Sequence, residues 1–190
     1  MNKDTNIYKI VLLGQFCSGK SSLINMYCND KFNEYTESTI GAAYFTKFIE
    51  EKNIKLEYWD TAGQERYDSL CSLYYKNTGA AIILFDITNL KSFDKSKFWI
   101  NQINNFNPDI YITLVGNKCD LDNDRKISFE EAKNYAEENN IYYIETSAKE
   151  NKNINELMEN IVNNISPVLN DNKSIEISQI LNKNNKSCCY

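Results

Sequence analysis

Histidine is absent from this chain of 190 residues, and none of its six cysteines forms a Cys-x-x-Cys pair. We therefore expect neither a structural zinc site nor catalysis through an imidazole. A membrane-spanning helix needs a run of about 18 or more apolar residues. The sequence has no such run. The formal net charge of −5 argues against nucleic acid as a partner.

The first ten residues, MNKDTNIYKI, are polar and lead directly into a strand-like run, so a secretory signal is not expected. Asn2 stands where N-myristoylation requires glycine. The length fits one globular domain with a short appendage. Four cysteines within that domain are interpreted as small, partly buried residues of a reducing cytosol: Cys17, Cys28, Cys71 and Cys119.

Strand-like and helical patterns alternate along most of the chain. Apolar or alternating runs predict strands at Ile7–Leu13, Ala43–Glu50, Ile54–Asp60, Ala80–Asp86, Ile110–Gly116 and Ile141–Glu145. The second and third of these form a hairpin around Glu51–Asn53. Helical spacing predicts Ser21–Asn29, Lys91–Asn105, Ser128–Asn140 and Asn153–Leu169, and Ser128 with Glu131 forms a capping box.

This order predicts an α/β fold, a mostly parallel six-stranded sheet with one antiparallel strand and helices on both faces. Ligands of such sheets bind at the carboxyl ends of the strands. The pattern stops near residue 170, and Asn, Ser and Lys dominate the last 20 residues. We therefore predict a domain over 1–170 and a flexible tail over 171–190.

The first predicted strand ends in GQFCSGKS, residues 14–21, which matches G-x-x-x-x-G-K-[ST] between a strand and a helix. The glycines let several backbone N–H groups face one anion, and the helix N-terminus adds a favourable dipole. Lys20 is expected to reach the outer phosphates, and the Ser21 hydroxyl to bind Mg²⁺. The motif indicates a nucleoside triphosphate and does not choose the base.

The third predicted strand ends in WDTAGQER, residues 59–66. Asp60 is placed to hold Mg²⁺, directly or through water. Gly63 can offer its N–H to the γ-phosphate, and Gln64 can orient a water. A second phosphate-site element thus lies where the strand order brings it next to the first.

Residues at the ends of two further predicted strands determine which base is bound. Asp120, in NKCD, can accept hydrogen bonds from both the N1–H and the 2-amino group of guanine, an edge that adenine lacks. Lys118 can lay its stem along one face of the base and Phe32 can stack on the other. Ala148, in TSAK, can offer its N–H to the guanine O6.

These motifs resemble the small GTPases over Ile7 to about Leu169, and WDTAGQERYDSL followed by Tyr74 and Tyr75 resembles the Rab branch. Residues 37–44, ESTIGAAY, resemble switch I of early-endosomal Rabs, which implies that Thr39 is a Mg²⁺ ligand that orders only with a γ-phosphate. The resemblance implies the P-loop small-GTPase fold and a GTP/GDP switch that hydrolyses GTP in vesicle trafficking. It also implies a surface facing effectors, at Ile40, Gly41, Tyr44, Trp59 and Tyr74; plain core packing remains an alternative for the last two.

The tail ends in Ser187-Cys188-Cys189-Tyr190, so it lacks a C-a-a-X box. The paired cysteines resemble the double-geranylgeranyl signal of Rabs, and two chains give a stable attachment where one does not. The resemblance implies a monomer on the cytoplasmic face of endosomal membranes that cycles with the cytosol. The implied partners are an exchange factor, a GTPase-activating protein, effectors, and the Rab escort protein and GDI, with Ile175–Ile177 resembling an escort-protein motif.

Phe16 departs from the family pattern, which has a small residue at that position. Its ring is expected beside the γ-phosphate and Gln64, where it would slow hydrolysis without weakening nucleotide binding. A GTP-loaded adaptor with negligible hydrolysis therefore stays open as an alternative, whereas Asp120 and the TSAK element disfavour an ATP-using kinase.

The sequence thus predicts three sets of site residues. Gln64 and Lys20 are catalytic, and Ser21, Thr39 and Asp60, the last through water, hold Mg²⁺. The nucleotide contacts are Gln15, Phe16, Cys17, Ser18, Gly19, Lys20, Ser21, Ser22, Phe32, Thr39, Gly63, Asn117, Lys118, Asp120, Ser147, Ala148 and Lys149.

Overall fold

A computed structural model describes residues 5–35, 37–63 and 76–165 of the chain. The predicted positions Gln64, Tyr74, Cys188 and Cys189 lie outside these residues, as do Ile175–Ile177 and the proposed boundary at residue 170. No helix within the described ranges is long and apolar enough to cross a bilayer.

The described residues form six strands and four helices, in the order that the sequence predicts. The strands are β1 (Asn6–Gly14), β2 (Ala42–Ile49), β3 (Ile54–Thr61), β4 (Ala80–Asp86), β5 (Tyr111–Asn117) and β6 (Tyr142–Thr146). The helices are α1 (Lys20–Asn29), α2 (Leu90–Phe106), α3 (Phe129–Glu138) and α4 (Ile154–Asn164), with short 3₁₀ turns at Glu50–Lys52 and Cys119–Asp124.

The strands form one sheet in the order β2-β3-β1-β4-β5-β6. Among the six described strands, β2 and β3 pair antiparallel and the other four pairings are parallel. The α/β prediction, with one antiparallel strand, is therefore confirmed. β3 pairs with one side of β1, and β4, which follows it in the chain, pairs with the other side. The loop after β1 therefore lies at the topological switch point, where the strand order changes direction.

Alternate residues of the strands face two separate cores. Ile10 and Leu12 lie in one core with α1 and α4, while Val11 and Leu13 lie in the other with α2 and α3. The central strand β4 is buried at every position, which explains its unbroken apolar run. Helices on both faces hold the strand ends rigid at the edge where the candidate site forms.

One helix prediction needs correction. The last helix ends at Asn164 rather than Leu169, and Ile165 is already extended. A proline offers no N–H to the carbonyl four residues earlier, and its ring would clash with that carbonyl in a helix, so the sequence disfavours a helix that continues through Pro167. In α2, Trp99 packs inward whereas Phe98 is exposed, although both are apolar.

The structure shows the Ser128 half of the capping box predicted for α3. The Ser128 hydroxyl accepts a hydrogen bond from the Glu131 backbone N–H at 3.1 Å. The hairpin turn differs slightly from expectation: a 3₁₀ turn precedes Asn53, which takes the left-handed conformation with φ of 51°. Asparagine tolerates that conformation better than most residues.

Candidate nucleotide-binding site

A cavity of about 350 Å³ opens at the carboxyl ends of β1, β3, β5 and β6. Most of the residues predicted to contact a nucleotide line it, namely Phe16, Cys17, Gly19, Lys20, Ser21, Ser22, Phe32, Thr39, Gly63, Asn117, Lys118, Asp120, Ala148 and Lys149. Four motifs that lie far apart in the sequence therefore meet around one space.

Three predicted contacts lie behind that lining. Ser18 and Ser147 are fully buried, and Gln15 presents its carbonyl to Lys20. The Ser18 carbonyl accepts a hydrogen bond from the Asn117 side chain at 2.9 Å. These residues hold the shape of the cavity through their backbone or through other side chains.

The loop after β1 is built around Lys20, which is buried. Its ammonium donates to the carbonyls of Gly14 and Gln15, both at 3.0 Å. Gly19 takes φ of 91°, and a side chain there would collide with Asn117. Glycine is therefore required at this position both for conformation and for space.

Three oxygen-bearing side chains converge beside Lys20. The Ser21 hydroxyl donates to Asp60 Oδ2 at 2.5 Å and lies 2.8 Å from the Thr39 hydroxyl. Asp60 is fully buried, and its second oxygen, Oδ1, has no hydrogen-bond partner among the described residues. Burial raises the pKa of Asp60, while the Ser21 hydroxyl and the Lys20 charge oppose that rise.

Gly63 lies directly against the phosphate loop. The Phe16 N–H donates to the Gly63 carbonyl at 2.9 Å. A Cβ added to Gly63 would collide with the Phe16 nitrogen and the Lys20 ammonium. The Phe16 ring itself is 44 % exposed at the rim of the cavity. Its expected neighbour Gln64 lies outside the described residues.

The base-reading end is formed by the loops after β5 and β6. Ser147 donates its hydroxyl to Asp120 Oδ1 at 2.6 Å, and the Thr146 hydroxyl donates to the Asn117 side-chain oxygen at 3.1 Å. The two loops are therefore locked together before any ligand enters. Phe32 is exposed and also lines the cavity.

A second link joins these loops farther from the cavity. Arg125 donates to both carboxylate oxygens of Glu145, at 2.7 and 2.8 Å, and to Asp122 at 2.7 Å. The Glu145 carbonyl in turn accepts a hydrogen bond from the Asn153 side chain. Sequence reasoning did not find this link, because a salt bridge between residues 20 positions apart leaves no local pattern.

Sequence reasoning also missed Asp86 and Glu34. Asp86 is the last residue of β4 and lies 2.6 Å from the Lys118 ammonium, so the rule that polar residues at strand ends meet would have identified it. Glu34 lies 3.9 Å from Lys149 across the mouth of the cavity. In the first pair the carboxylate is buried and the lysine is partly exposed. Both side chains of the second pair are exposed, so that pair stabilises the fold little.

The residues predicted to face effectors divide into two groups. Ile40 and Tyr44 are exposed, and the Gly41 carbonyl accepts a hydrogen bond from the Ala62 N–H. Trp59 is buried in the core, beneath Lys9 and in edge contact with Tyr44 at 5.5 Å between ring centroids. Core packing, the alternative that the sequence left open, describes Trp59 better than an exposed role.

The strand order, the glycine-rich loop between β1 and α1, and the loops after β3, β5 and β6 together define a P-loop protein with the small-GTPase fold. Comparison with known proteins agrees with this class. The sequence matches the Ras family over residues 9–167. It is 46 % identical over 170 residues to Ras-related protein RABF2a of Arabidopsis thaliana and 45 % identical over the same length to Ras-related protein RABF2b, also of Arabidopsis thaliana.

Each of these two alignments covers 88 % of this chain and 84 % of the relative. The chain therefore belongs to the Ras family, within its Rab branch. As a member of that family it binds GTP and GDP, hydrolyses GTP, and works with regulators and effectors as a switch in trafficking.

Proposed function

We propose that this Rab GTPase serves an endocytic, early-endosomal step, and that the site residues perform the roles that the sequence predicts for them. One observation carries the assignment of roles: the phosphate loop, Thr39, Gly63 and the two base-reading loops border a single cavity. A nucleotide in that cavity places its phosphates against residues 14–21 and its base between Phe32 and Lys118.

A Mg²⁺ ion fits the cluster of Ser21, Thr39 and Asp60. Hydroxyl and carboxylate oxygens are the donors that this cation prefers, and the unpartnered Asp60 oxygen is available to a water of its shell. When bound, the ion neutralises charge on the outer phosphates. Thr39 approaches the cluster from a segment outside the helices and strands, so its position can depend on the γ-phosphate.

Hydrolysis requires a water in line with the γ-phosphate, which Gln64 orients while Lys20 stabilises the charge that develops. The sequence contains two arginines, Arg66 and Arg125. Arg125 is engaged by Glu145 and Asp122 and does not line the cavity. Arg66 lies outside the described residues. We propose that a GTPase-activating protein supplies the catalytic arginine.

The proposed site of action rests on residues 37–44, which resemble switch I of early-endosomal Rabs, and on the paired cysteines Cys188 and Cys189. Both features favour a monomer carrying two geranylgeranyl groups on the cytoplasmic face of endosomal membranes. Escort protein and GDI would then move the protein through the cytosol. A different trafficking step is the alternative, since the nucleotide site is the same for every step.

The nucleotide roles are tested by comparing the affinities of the purified protein for GDP and ADP. We expect GDP to bind on the order of 10⁴-fold more tightly, because ADP lacks the two donors that Asp120 accepts from guanine. Isothermal titration against protein stripped of nucleotide gives both constants. Equal affinities would contradict the assignment of Asp120.

Membrane attachment is expected to require both tail cysteines. Charges in the tail, Lys173, Lys183 and Lys186 against Asp171 and Glu176, leave little electrostatic attraction to lipid, and one lipid chain gives only reversible binding. Cys188→Ser or Cys189→Ser should therefore shift protein from membrane to cytosol, and the double variant should lose attachment. Fractionation of cells measures this, with Cys71→Ser as the control; an unmodified tail in mass spectra would refute the proposal.

A second candidate function is a GTP-loaded adaptor with very slow hydrolysis. The observation that favours it is the bulky Phe16 ring at the phosphate end of the cavity, where the family has a small residue. The two candidates differ only in the rate at which bound GTP is lost, so a direct measurement of hydrolysis separates them.

A further inference from the structure

Asp86, the last residue of β4, is a buried carboxylate without a role in the proposed chemistry. Its Oδ2 lies 2.6 Å from the ammonium of Lys118, whose stem lines the nucleotide cavity. Asp86 itself does not line the cavity. Any effect of Asp86 on a bound nucleotide must therefore act through Lys118.

The Asp86 carboxylate is held in a single orientation by its neighbours. Its other oxygen, Oδ1, accepts hydrogen bonds from the Thr88 N–H at 2.8 Å and from the Thr88 hydroxyl at 2.7 Å. Its backbone N–H donates to the Ser92 hydroxyl at the start of α2. The carboxylate thus reaches Lys118 from a rigid base.

Asp86 is ionised at neutral pH despite its burial. Burial alone raises the pKa of such a group, but the hydrogen bonds from Lys118 and Thr88 outweigh it and hold the pKa of Asp86 below its usual value. Removing one member of a buried ion pair destabilises a protein more than removing one member of an exposed pair, because the remaining charge is left in the interior without a partner.

Two features of Lys118 concern this ion pair: its backbone is in the left-handed region, and its side chain is long and flexible. Lys118 has φ of 66°, in the left-handed region that few residues with a Cβ adopt. A lysine stem has four rotatable bonds and loses rotamer entropy when it is fixed. A preformed ion pair meets that cost before the nucleotide arrives.

We propose that Asp86 is a positioning residue for the guanine nucleotide, which fixes the Lys118 ammonium so that its stem lies along the base. This inference rests on the proposed role of Lys118 at the face of the base. Asp86 makes no contact with the nucleotide, and base choice remains with Asp120. Loss of the ion pair lets the stem leave the base, so the nucleotide dissociates faster.

A double-mutant cycle tests the inference on the full-length protein. Asp86→Asn keeps the size of the side chain and removes its charge, and Lys118→Met keeps most of the stem and removes the ammonium. The measured quantity is the rate of release of a fluorescent GDP analogue with excess unlabelled GDP. We expect Asp86→Asn to speed release by about tenfold, and by less than twofold in the Lys118→Met background.

The matched control is Asp94→Asn, which removes the same charge from an exposed carboxylate 3.6 Å from Lys97 on α2. Release should stay at the wild-type rate in this variant. If Asp86→Asn gives no folded protein, Thr88→Val replaces it in the cycle, since it removes one hydrogen bond to the carboxylate; we then expect about a threefold effect that disappears with Lys118→Met.

Two results would overturn the inference. One is release from Asp86→Asn at the wild-type rate. The other is an undiminished effect of Asp86→Asn when Lys118 is already methionine, which would mean that Asp86 acts on the fold and not through Lys118. Failure of the wild-type protein to bind the GDP analogue would instead reject the proposed nucleotide roles, so the two failures are distinguishable.

Discussion

Asp120→Asn should move the base preference of this protein from guanine to xanthine. The carboxylate is proposed to accept two hydrogen bonds from guanine, and the amide presents a donor where the guanine 2-amino group needs an acceptor. A hydrogen bond to a charged group contributes roughly 1.5–3 kcal/mol, so we expect the loss of this one to weaken GDP binding by on the order of 10- to 10²-fold. Xanthosine diphosphate carries an oxygen at position 2 and should gain affinity.

The substitution is expected to leave the loops around the base intact. Asp120 Oδ1 accepts the Ser147 hydroxyl at 2.6 Å, and an amide oxygen can accept the same hydrogen bond. Asp122→Asn is the matched control, since it makes the same charge change two residues away in an exposed side chain that binds Arg125. Titration of both variants with GDP and XDP measures the effect; an Asp120→Asn protein that still prefers GDP would rule out the assignment.

Phe16→Ala should accelerate GTP hydrolysis. The ring lies at the rim of the cavity, where Gln64 and an inserted arginine from an activating protein would have to approach. If Gln64 regains its position, the barrier should fall by roughly 1–2 kcal/mol, which is about 5- to 30-fold in the intrinsic rate. The activated reaction has more to gain, because a well-placed arginine contributes ~10³–10⁵ in rate.

Nucleotide affinity should not change in Phe16→Ala, because the Phe16 contact to Gly63 is made by the backbone N–H, which alanine retains. Phe98→Ala is the control, an exposed ring on α2 that does not line the cavity. Single-turnover assays with GTP give the rates. Equal rates for the wild type and Phe16→Ala would show that the ring leaves Gln64 free, and the steric explanation would then be wrong.

The sequence predicted the parts of the site that depend on local patterns. The end of β1 at a glycine-rich loop, the buried run of β4 and the Ser128 cap are all encoded within a few residues, and the structure has them within one or two positions. Parallel strands place their carboxyl ends at one edge, so residues as distant as Asp60 and Asp120 could be expected in the same site.

Asp86 could have been expected at the site from its place at the end of β4, but the pairing of individual side chains across these loops could not. The Asp86–Lys118 pair and the Arg125–Glu145 pair depend on side-chain directions that only the packed sheet defines. The burial of Trp59 was not predictable either, because an aromatic residue in a strand can face solvent or core. The end of α4 at Asn164 was predictable from Pro167, which the periodicity argument overlooked.

Loss of the γ-phosphate from bound GTP is the most direct test of the central claim, that this chain is a switch which converts its own GTP to GDP. The protein is loaded with GTP, freed of excess nucleotide and followed as phosphate is released in a single turnover, with Gln64→Leu alongside. We expect slow but complete conversion that Gln64→Leu suppresses. A wild-type protein that holds GTP unchanged for as long as Gln64→Leu does would contradict the account.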